Sequence, residues 1–176
     1  MSISTTRELF VHELADAMSA EQQVLKMLPE LQKEALHPEL KKALRDHEGE
    51  TRQHVKNLQA VFKQLGESPE ETTCFGMKGL VDEHKAMHEE KPAPEMLELA
   101  TVSGAIKTEH YEIVSYTGLV QMAKDLGEPA SAKLLQENLT QEKAMAKRVE
   151  AISKTLGKEA KSREKTTATS RNGRKA

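Results

Sequence analysis

Four glutamates stand at positions that helical periodicity assigns to a buried core. Each interrupts a series of apolar residues spaced three or four apart, and the four are Glu21, Glu50, Glu109 and Glu142. Burying an unpaired carboxylate is costly, and clustered carboxylates raise one another's pKa until protons or cations neutralise them. Because a pair of divalent metal ions would provide that neutralisation, we take these four glutamates as candidate metal ligands.

Two histidines share a helical face with one of these acids. His47 precedes Glu50 by three residues and His54 follows it by four, so that either or both imidazoles can be ligands. Di-iron and di-manganese bundle sites use one Glu from each of two helices and a Glu-x-x-His pair from each of the other two. This chain meets the scheme only in part, because its His-x-x-Glu order is reversed.

The last of the four glutamates lacks a histidine one turn later. Met145 stands at that position after Glu142, and the best substitute ligand is Glu112, one turn after Glu109. The resulting set is rich in carboxylates and holds one or two imidazoles, a donor set that suits iron or manganese. The predicted cofactors are therefore two divalent ions of iron or manganese.

The elements that must position these residues are long helices. Aromatic residues make up 3% of the 176, and strong helix formers dominate, which predicts an all-α fold. Capping residues, prolines and glycines set four helices at residues 6–36, 38–65, 94–126 and 129–156. Pro29 predicts a bend in the first helix. The four glutamates then lie within roughly 2 Å of one level along the bundle at 1.5 Å per residue.

The connection at residues 67–93 is too long for a turn and is predicted to contain a short amphipathic helix. One long crossover between the second and third of four helices is the connectivity of a ferritin-like bundle. The crossover also carries His84 and His88 at four-residue spacing. Such a pair can bind a surface metal ion, although most pairs of this kind are simply solvated.

The chain divides into a bundle at residues 1–157 and a basic tail at 158–176. The tail has seven Lys or Arg against two Glu and lacks large apolar residues, which predicts disorder. A solubilising role is one interpretation, and weak non-specific contact with nucleic acid is the other. A single cysteine, no apolar run of membrane-spanning length and no export signal predict a cytoplasmic protein with no membrane partner.

Several segments together resemble the YciE/YciF family of bacterial ferritin-like stress proteins over about residues 5–157. They are SAEQQVLKMLPEL, HEGET, TCFGMKGLVDE, EHYEIVSYTGLV and TQEKAMAKRV. The resemblance implies a ferritin-like bundle, a homodimer, a role in stress response and a di-metal centre. It also places His47 and Glu50 on the family's His-x-x-Glu-Thr element, whereas the position of His54 is often Gln in the family.

Two functions follow as hypotheses. In the first, the chain holds two metal ions that react with dioxygen or peroxide, with Glu50 and Glu142 among the bridging ligands and Tyr116 orienting a ligand. In the second, it is a non-catalytic structural or interaction protein of the stress response, whose glutamates are neutralised by protons, water or basic side chains.

Overall fold

The computed structural model describes residues 3–172, with side chains to residue 163, and contains five helices in this part of the chain. They are α1 (Thr6–Glu34), α2 (Pro38–Leu65), α3 (Phe75–Glu89), α4 (Pro94–Asp125) and α5 (Pro129–Asn172). The four predicted bundle helices correspond to α1, α2, α4 and α5, and the predicted crossover helix is α3. The all-α fold with a long helical crossover is confirmed. Within residues 3–172 no helix is both long and apolar enough to span a bilayer.

Local sequence signals set most of the helix ends. Thr5 and Glu8 form a reciprocal capping box at the start of α1. Gly66 and Gly127 adopt left-handed conformations, with φ of 71° and 73°, immediately after α2 and close after α4. Pro38 occupies the first turn of α2, where its missing N–H costs no hydrogen bond.

Two helices continue past residues that weaken a helix. α1 runs through Pro29 without stopping, as the sequence predicts. α5 continues to Asn172, whereas the sequence predicts an end at residue 156 and disorder from 158. A single Gly157 costs a helix only about 1 kcal/mol relative to Ala, and no proline follows it to enforce an end. Residues 173–176 of the predicted tail lie outside the described residues.

A polar layer divides the apolar core of the bundle into two halves. Around the bundle, α1 neighbours α2 and α4, and α5 closes the ring between α2 and α4. One apolar cluster is built around Phe10, Leu58, Phe62, Tyr116 and Leu135, and the other around Val24, Leu44, Val102, Met145 and Val149. On every bundle helix the candidate site residues lie between these two sets, so the fold brings them to a common level.

The crossover helix α3 covers one side of the bundle, against α1 and α4. Its start is fixed by contacts of Cys74, whose backbone N–H donates to Ser19 Oγ (3.0 Å) and whose Sγ lies 3.0 Å from Tyr111 Oη. Burial raises the pKa of the Cys74 thiol. A Cβ at Gly76 would stand 2.5–2.7 Å from the Tyr111 ring and hydroxyl, so a larger residue at this position would have to displace the Tyr111 ring.

We predict opposite effects for two glycine substitutions in α3. Gly76→Ala forces the Tyr111 ring away from Cys74 and lowers the free energy of unfolding by about 1–3 kcal/mol. Gly79→Ala in the same helix is the matched control, because its Cβ meets nothing within 4 Å. It should raise the free energy of unfolding by about 0.5–1 kcal/mol. Urea denaturation measures both, and a Gly76→Ala protein as stable as Gly79→Ala would contradict the close contact.

Candidate metal centre

The first of two buried clusters at the centre of the bundle combines one imidazole with three carboxylates. This Glu112 cluster consists of His47, Glu109, Glu112 and Glu142, and one ligand atom of each residue lies within 4.8 Å of the others. His47 Nε2 is 3.4 Å from Glu109 Oε1 and 4.0 Å from Glu142 Oε2. Three bundle helices, α2, α4 and α5, contribute to it.

The second cluster brings in the remaining bundle helix. This Glu21 cluster consists of Glu21, His54 and Glu142, all buried. His54 Nδ1 lies 2.8 Å from Glu142 Oε1 and 3.2 Å from Glu21 Oε1. Glu142 belongs to both clusters, and its two carboxylate oxygens face different imidazoles. The arrangement therefore consists of two adjoining sites that share one carboxylate.

Most of the polar atoms that these clusters turn toward one another lack a hydrogen bond. Apart from the contact between His54 Nδ1 and Glu142 Oε1, six buried cluster atoms have no hydrogen-bond partner among the described residues: Glu21 Oε2, His47 Nε2, Glu109 Oε2, both oxygens of Glu112 and Glu142 Oε2. Buried polar groups in proteins are normally hydrogen-bonded, so a concentration of exceptions needs a physical cause. Lone pairs directed at a common point are what metal ligands present.

Glu98 shows how the same fold satisfies a buried carboxylate that has no such role. Glu98, at 6% exposure, accepts hydrogen bonds from the backbone N–H groups of Leu36 (2.8 Å) and His37 (2.6 Å). It thereby ties the turn between α1 and α2 to α4. Glu112, at 2% exposure, has no hydrogen-bond partner among the residues described for either oxygen. Burial alone therefore does not explain the unpaired atoms of the central clusters.

The position of Glu50 differs from the prediction. Its side chain is 38% exposed, it belongs to neither cluster, and its Oε2 lies 3.4 Å from His47 Nδ1. The reason is the path of the buried face of α2, which passes from His47 through Thr51 to His54 and leaves Glu50 on the flank. When Nδ1 of His47 carries the ring hydrogen, Glu50 accepts it, and Nε2 turns its lone pair toward the Glu112 cluster. Glu50 is thus placed to orient His47.

The other predicted site residues lie together. The structure brings Glu21, His47, His54, Glu109, Glu112 and Glu142 into the two clusters. Tyr116, predicted to orient a ligand, donates its hydroxyl hydrogen to Glu21 Oε1. The role of these residues as metal ligands stays a prediction at this point.

Sequence reasoning missed a set of amides that support the site. Asn138 Nδ2 donates to Tyr116 Oη (3.0 Å), and Asn138 Oδ1 accepts from Asn57 Nδ2 (2.7 Å). Gln141 Oε1 lies 2.7 Å from His54 Nε2, on the ring edge away from the Glu21 cluster. Asn138 stands one turn before Glu142 on the apolar face of α5, and a buried-face asparagine at that spacing was an available signal.

Burial and neighbouring charge raise the pKa values of three of the acids and lower that of the fourth. Burial, reinforced by the charge of Glu142, raises the pKa of Glu109 and of Glu112 well above the usual range. Burial also raises the pKa of Glu21, against the opposing effect of His54. Burial alone would also raise the pKa of Glu142, but its contact with His54 and the nearby imidazoles outweigh burial and lower this pKa.

The pKa of the His54 imidazole in the Glu21 cluster is raised, although burial alone would lower it. Burial disfavours the charged form of His54, but Glu142 and Glu21 outweigh it and raise its pKa to about 10. Burial, together with the charge of Glu21, raises the pKa of Tyr116 well above its usual value, so that it remains a neutral donor. The protein alone thus places a proton on His54 between two carboxylates, where a cation is electrostatically favoured.

The residues present fit divalent metal ions. The unpaired atoms are carboxylate oxygens and an imidazole nitrogen, and Mn²⁺ and Fe²⁺ accept such mixed, carboxylate-rich sets. In the Glu21 cluster His54 would bind through Nδ1, and in the Glu112 cluster His47 would bind through Nε2. Gln141 and Glu50 contact the opposite ring nitrogens, the usual way in which a protein orients a histidine ligand.

We predict that metal-free protein loses stability as the pH rises from neutral. Glu109 and Glu112 have a pKa above the ordinary 4.5, so above pH 4.5 the folded chain holds protons that the unfolded chain releases. The stabilisation from His54 is complete below pH 6.5 and is lost as the pH approaches about 10. Both effects have the same sign.

Urea denaturation of chelator-treated protein at pH 5–9 measures this slope. The double variant Glu109→Gln, Glu112→Gln should show a shallower decline, because two of the titrating groups are gone. The effect of Glu142 is confined to pH below 4.5 and does not enter this range. Stability that rises with pH across the range would contradict the assigned pKa directions.

We also predict that Glu112→Met stabilises the metal-free protein. The change removes a buried group with two unpaired oxygens and keeps a similar volume, so the free energy of unfolding should rise by about 1–3 kcal/mol. Glu137→Met, at an exposed position on α5, is the control and should change stability by less than about 0.5 kcal/mol. A destabilised Glu112→Met protein would show that the carboxyl group has a structural partner.

Comparison with known proteins places this architecture in a family. Residues 5–162 match the family described as a domain of unknown function, DUF892. The chain is 34% identical to protein YciF of Escherichia coli over 145 residues, which cover 82% of this chain and 87% of that protein.

Solved structures agree with this assignment. The crystal structure of the Escherichia coli stress protein YciF superposes with a TM-score of 0.84 at 30% identity, covering 89% of this chain and 99% of that one. YcfI of Rhodopseudomonas palustris, provisionally described as a structural protein, gives 0.82 at 34% identity, covering 85% and 95%. The chain belongs to the DUF892 family, whose members include the YciF-type stress proteins.

Proposed function

We propose that this chain is a di-metal carboxylate protein that binds two iron or manganese ions and uses them to consume dioxygen or peroxide during stress. The observation that carries the proposal is the group of six buried, unpaired polar atoms in two clusters that share Glu142. Membership of a family that contains a stress protein supports the setting.

Different residues would hold each of the two cations, and one residue would contact both. Glu21 and His54 would hold one ion, while His47, Glu109 and Glu112 would hold the other, and Glu142 would contact both. When bound, iron or manganese would supply the electron transfer to the oxidant. The apolar halves of the core on either side of the clusters exclude water from this layer.

The same residues must release protons for metal to bind. His54 carries a proton at Nδ1 in the protein alone, because Glu142 and Glu21 raise its pKa to about 10. Glu109 and Glu112 hold protons for the related reason that burial raises their pKa values. Ligands coordinate metal in their deprotonated forms, so metal binding should release protons and strengthen as the pH rises.

We predict that single substitutions remove the two ions separately. Glu112→Gln should leave one ion per chain, Glu21→Gln should leave the other, and Glu142→Gln should lose both. Each lost site should weaken by at least about 10–100-fold, the loss seen even when a supporting partner of a ligand is removed. Glu137→Gln is the control and should keep both ions, because Glu137 is exposed and lies outside the clusters.

Metal content after anaerobic loading with Fe²⁺ or Mn²⁺ tests binding, and consumption of dioxygen or hydrogen peroxide by the loaded protein tests the reaction. Wild-type protein with clearly less than one ion per chain would contradict the metal centre. Two bound ions without oxidant consumption would contradict the redox role and leave binding intact.

One observation favours a second function, that of a non-catalytic structural or interaction protein. The His54 imidazolium can neutralise Glu21 and Glu142, and protons can neutralise Glu109 and Glu112, so that the bundle is stable without metal. The provisional description of the Rhodopseudomonas palustris relative agrees with this function. The metal-content measurement separates the two functions.

The proposal also includes the setting in which the protein works. We expect a cytoplasmic homodimer, as the family resemblance implies, in which the basic residues from 158 onward make weak contact with nucleic acid. Sedimentation analysis tests the dimer. A salt-dependent shift on duplex DNA that is lost on truncation at residue 157 tests the tail.

A further inference from the structure

A third group of metal-ligating side chains lies away from the central clusters. Glu34 is the last residue of α1, and His84 and His88 lie one turn apart on α3. One ligand atom of each residue lies within 4.8 Å of the others. None of the three residues belongs to the Glu21 or Glu112 cluster, so this group is a separate site.

The two imidazoles present the same atom to the same carboxylate. His84 Nε2 is 3.0 Å from Glu34 Oε2, and His88 Nε2 is 2.8 Å from Glu34 Oε1. The ring centroids are 5.1 Å apart. Two histidines four residues apart on one helical face are a recurrent chelating pair for zinc. A carboxylate from a second helix completes a set of two nitrogens and one oxygen.

We propose that Glu34, His84 and His88 bind Zn²⁺ or a similar late first-row divalent ion, and that the ion fastens α3 to the end of α1. A site with two imidazoles and one carboxylate is an established zinc donor set that leaves a position for water. Exposure agrees with this, because Glu34 and His84 are 17% and 13% exposed, whereas His88 is 42% exposed and borders solvent.

The donor chemistry separates this site from the central one. Imidazole ligands suit Zn²⁺ and Cu²⁺, whereas carboxylate-rich sets suit harder ions such as Mn²⁺. The Glu112 cluster has three carboxylates and one imidazole, whereas the site on α3 has two imidazoles and one carboxylate. One chain can therefore hold different metals at its centre and under its crossover helix.

A metal ion at this site would restrain α3, because this helix packs less extensively against its neighbours than the bundle helices do. Half-open grooves of about 140 and 20 Å³ run beside α3, and both are lined by Leu80 and His84. Met77 is the one fully buried residue of α3, whereas the bundle helices bury many, so α3 is held less tightly than they are. An ion that joins His84 and His88 to Glu34 would restrain this helix at its C-terminal half.

The test uses full-length protein in which Glu142→Gln has removed the shared ligand of the central clusters. Zn²⁺ is titrated in competition with a chromophoric chelator, and the expected result is one bound equivalent per chain. Adding His88→Ala should weaken this binding by at least about 10-fold. His88 is exposed, so its loss leaves the fold intact. His110→Ala is the matched control, an exposed histidine paired with Glu150 (3.6 Å) outside the cluster.

Hydrogen exchange provides the second readout. Zn²⁺ should slow exchange of the amides of residues 75–89 in the Glu142→Gln protein and in its His110→Ala derivative, but not in its His88→Ala derivative. In wild-type protein, His88→Ala should reduce the bound Zn²⁺ by one equivalent. Equal Zn²⁺ affinity with and without His88, or α3 exchange that Zn²⁺ leaves unchanged, would overturn the proposal. Neither result depends on the central centre or its proposed reaction.

Discussion

Burial of several carboxylates with too few hydrogen-bond donors is the constraint on which the rest of this structure depends. Glu112 has both oxygens buried and unpaired, and Glu109, Glu21 and Glu142 each leave at least one oxygen in the same condition. Buried carboxylates of this kind require compensation by protons, ordered water or cations. In the metal-free protein, protons provide this compensation, because the pKa values of Glu109, Glu112 and His54 are all raised.

The bundle tolerates this central layer because apolar packing continues on both sides of it. Two core clusters, one around Phe62 and the other around Val149, hold the four long helices in register above and below the acids. Amides then fix the orientation of the ligating groups. The series Asn57, Asn138 and Tyr116 ends on Glu21, and Gln141 sets the ring of His54. Hydrogen bonds of this kind orient the ligands of protein metal sites.

Stability and binding oppose each other at this site. Glu109 and Glu112, whose pKa values burial raises, make the metal-free bundle less stable, and functional sites commonly carry such costs. Glu98 shows the alternative within the same chain, since two backbone N–H groups satisfy its carboxylate and no cation is required.

The sequence by itself determined the helices, their order and the level at which the acids lie. Prolines and glycines mark helix ends through fixed backbone geometry, and apolar spacing assigns faces, so α1, α2 and α4 fall close to their predicted bounds and α3 lies within the predicted crossover. The end of α5 was missed because one glycine is a weak stop signal. The choice of Glu112 as a partner for Glu109 was also available from spacing, since residues three apart share a face.

Only the tertiary structure decided which side chains meet. Helical periodicity assigns a face only roughly, and the packing of α2 buries Thr51 and leaves Glu50 on the flank, where its carboxylate lies 3.4 Å from His47 Nδ1. Periodicity also says nothing about neighbours from other helices. The sharing of Glu142 between two imidazoles and the meeting of Glu34 with His84 and His88 depend on how helices distant in sequence pack together.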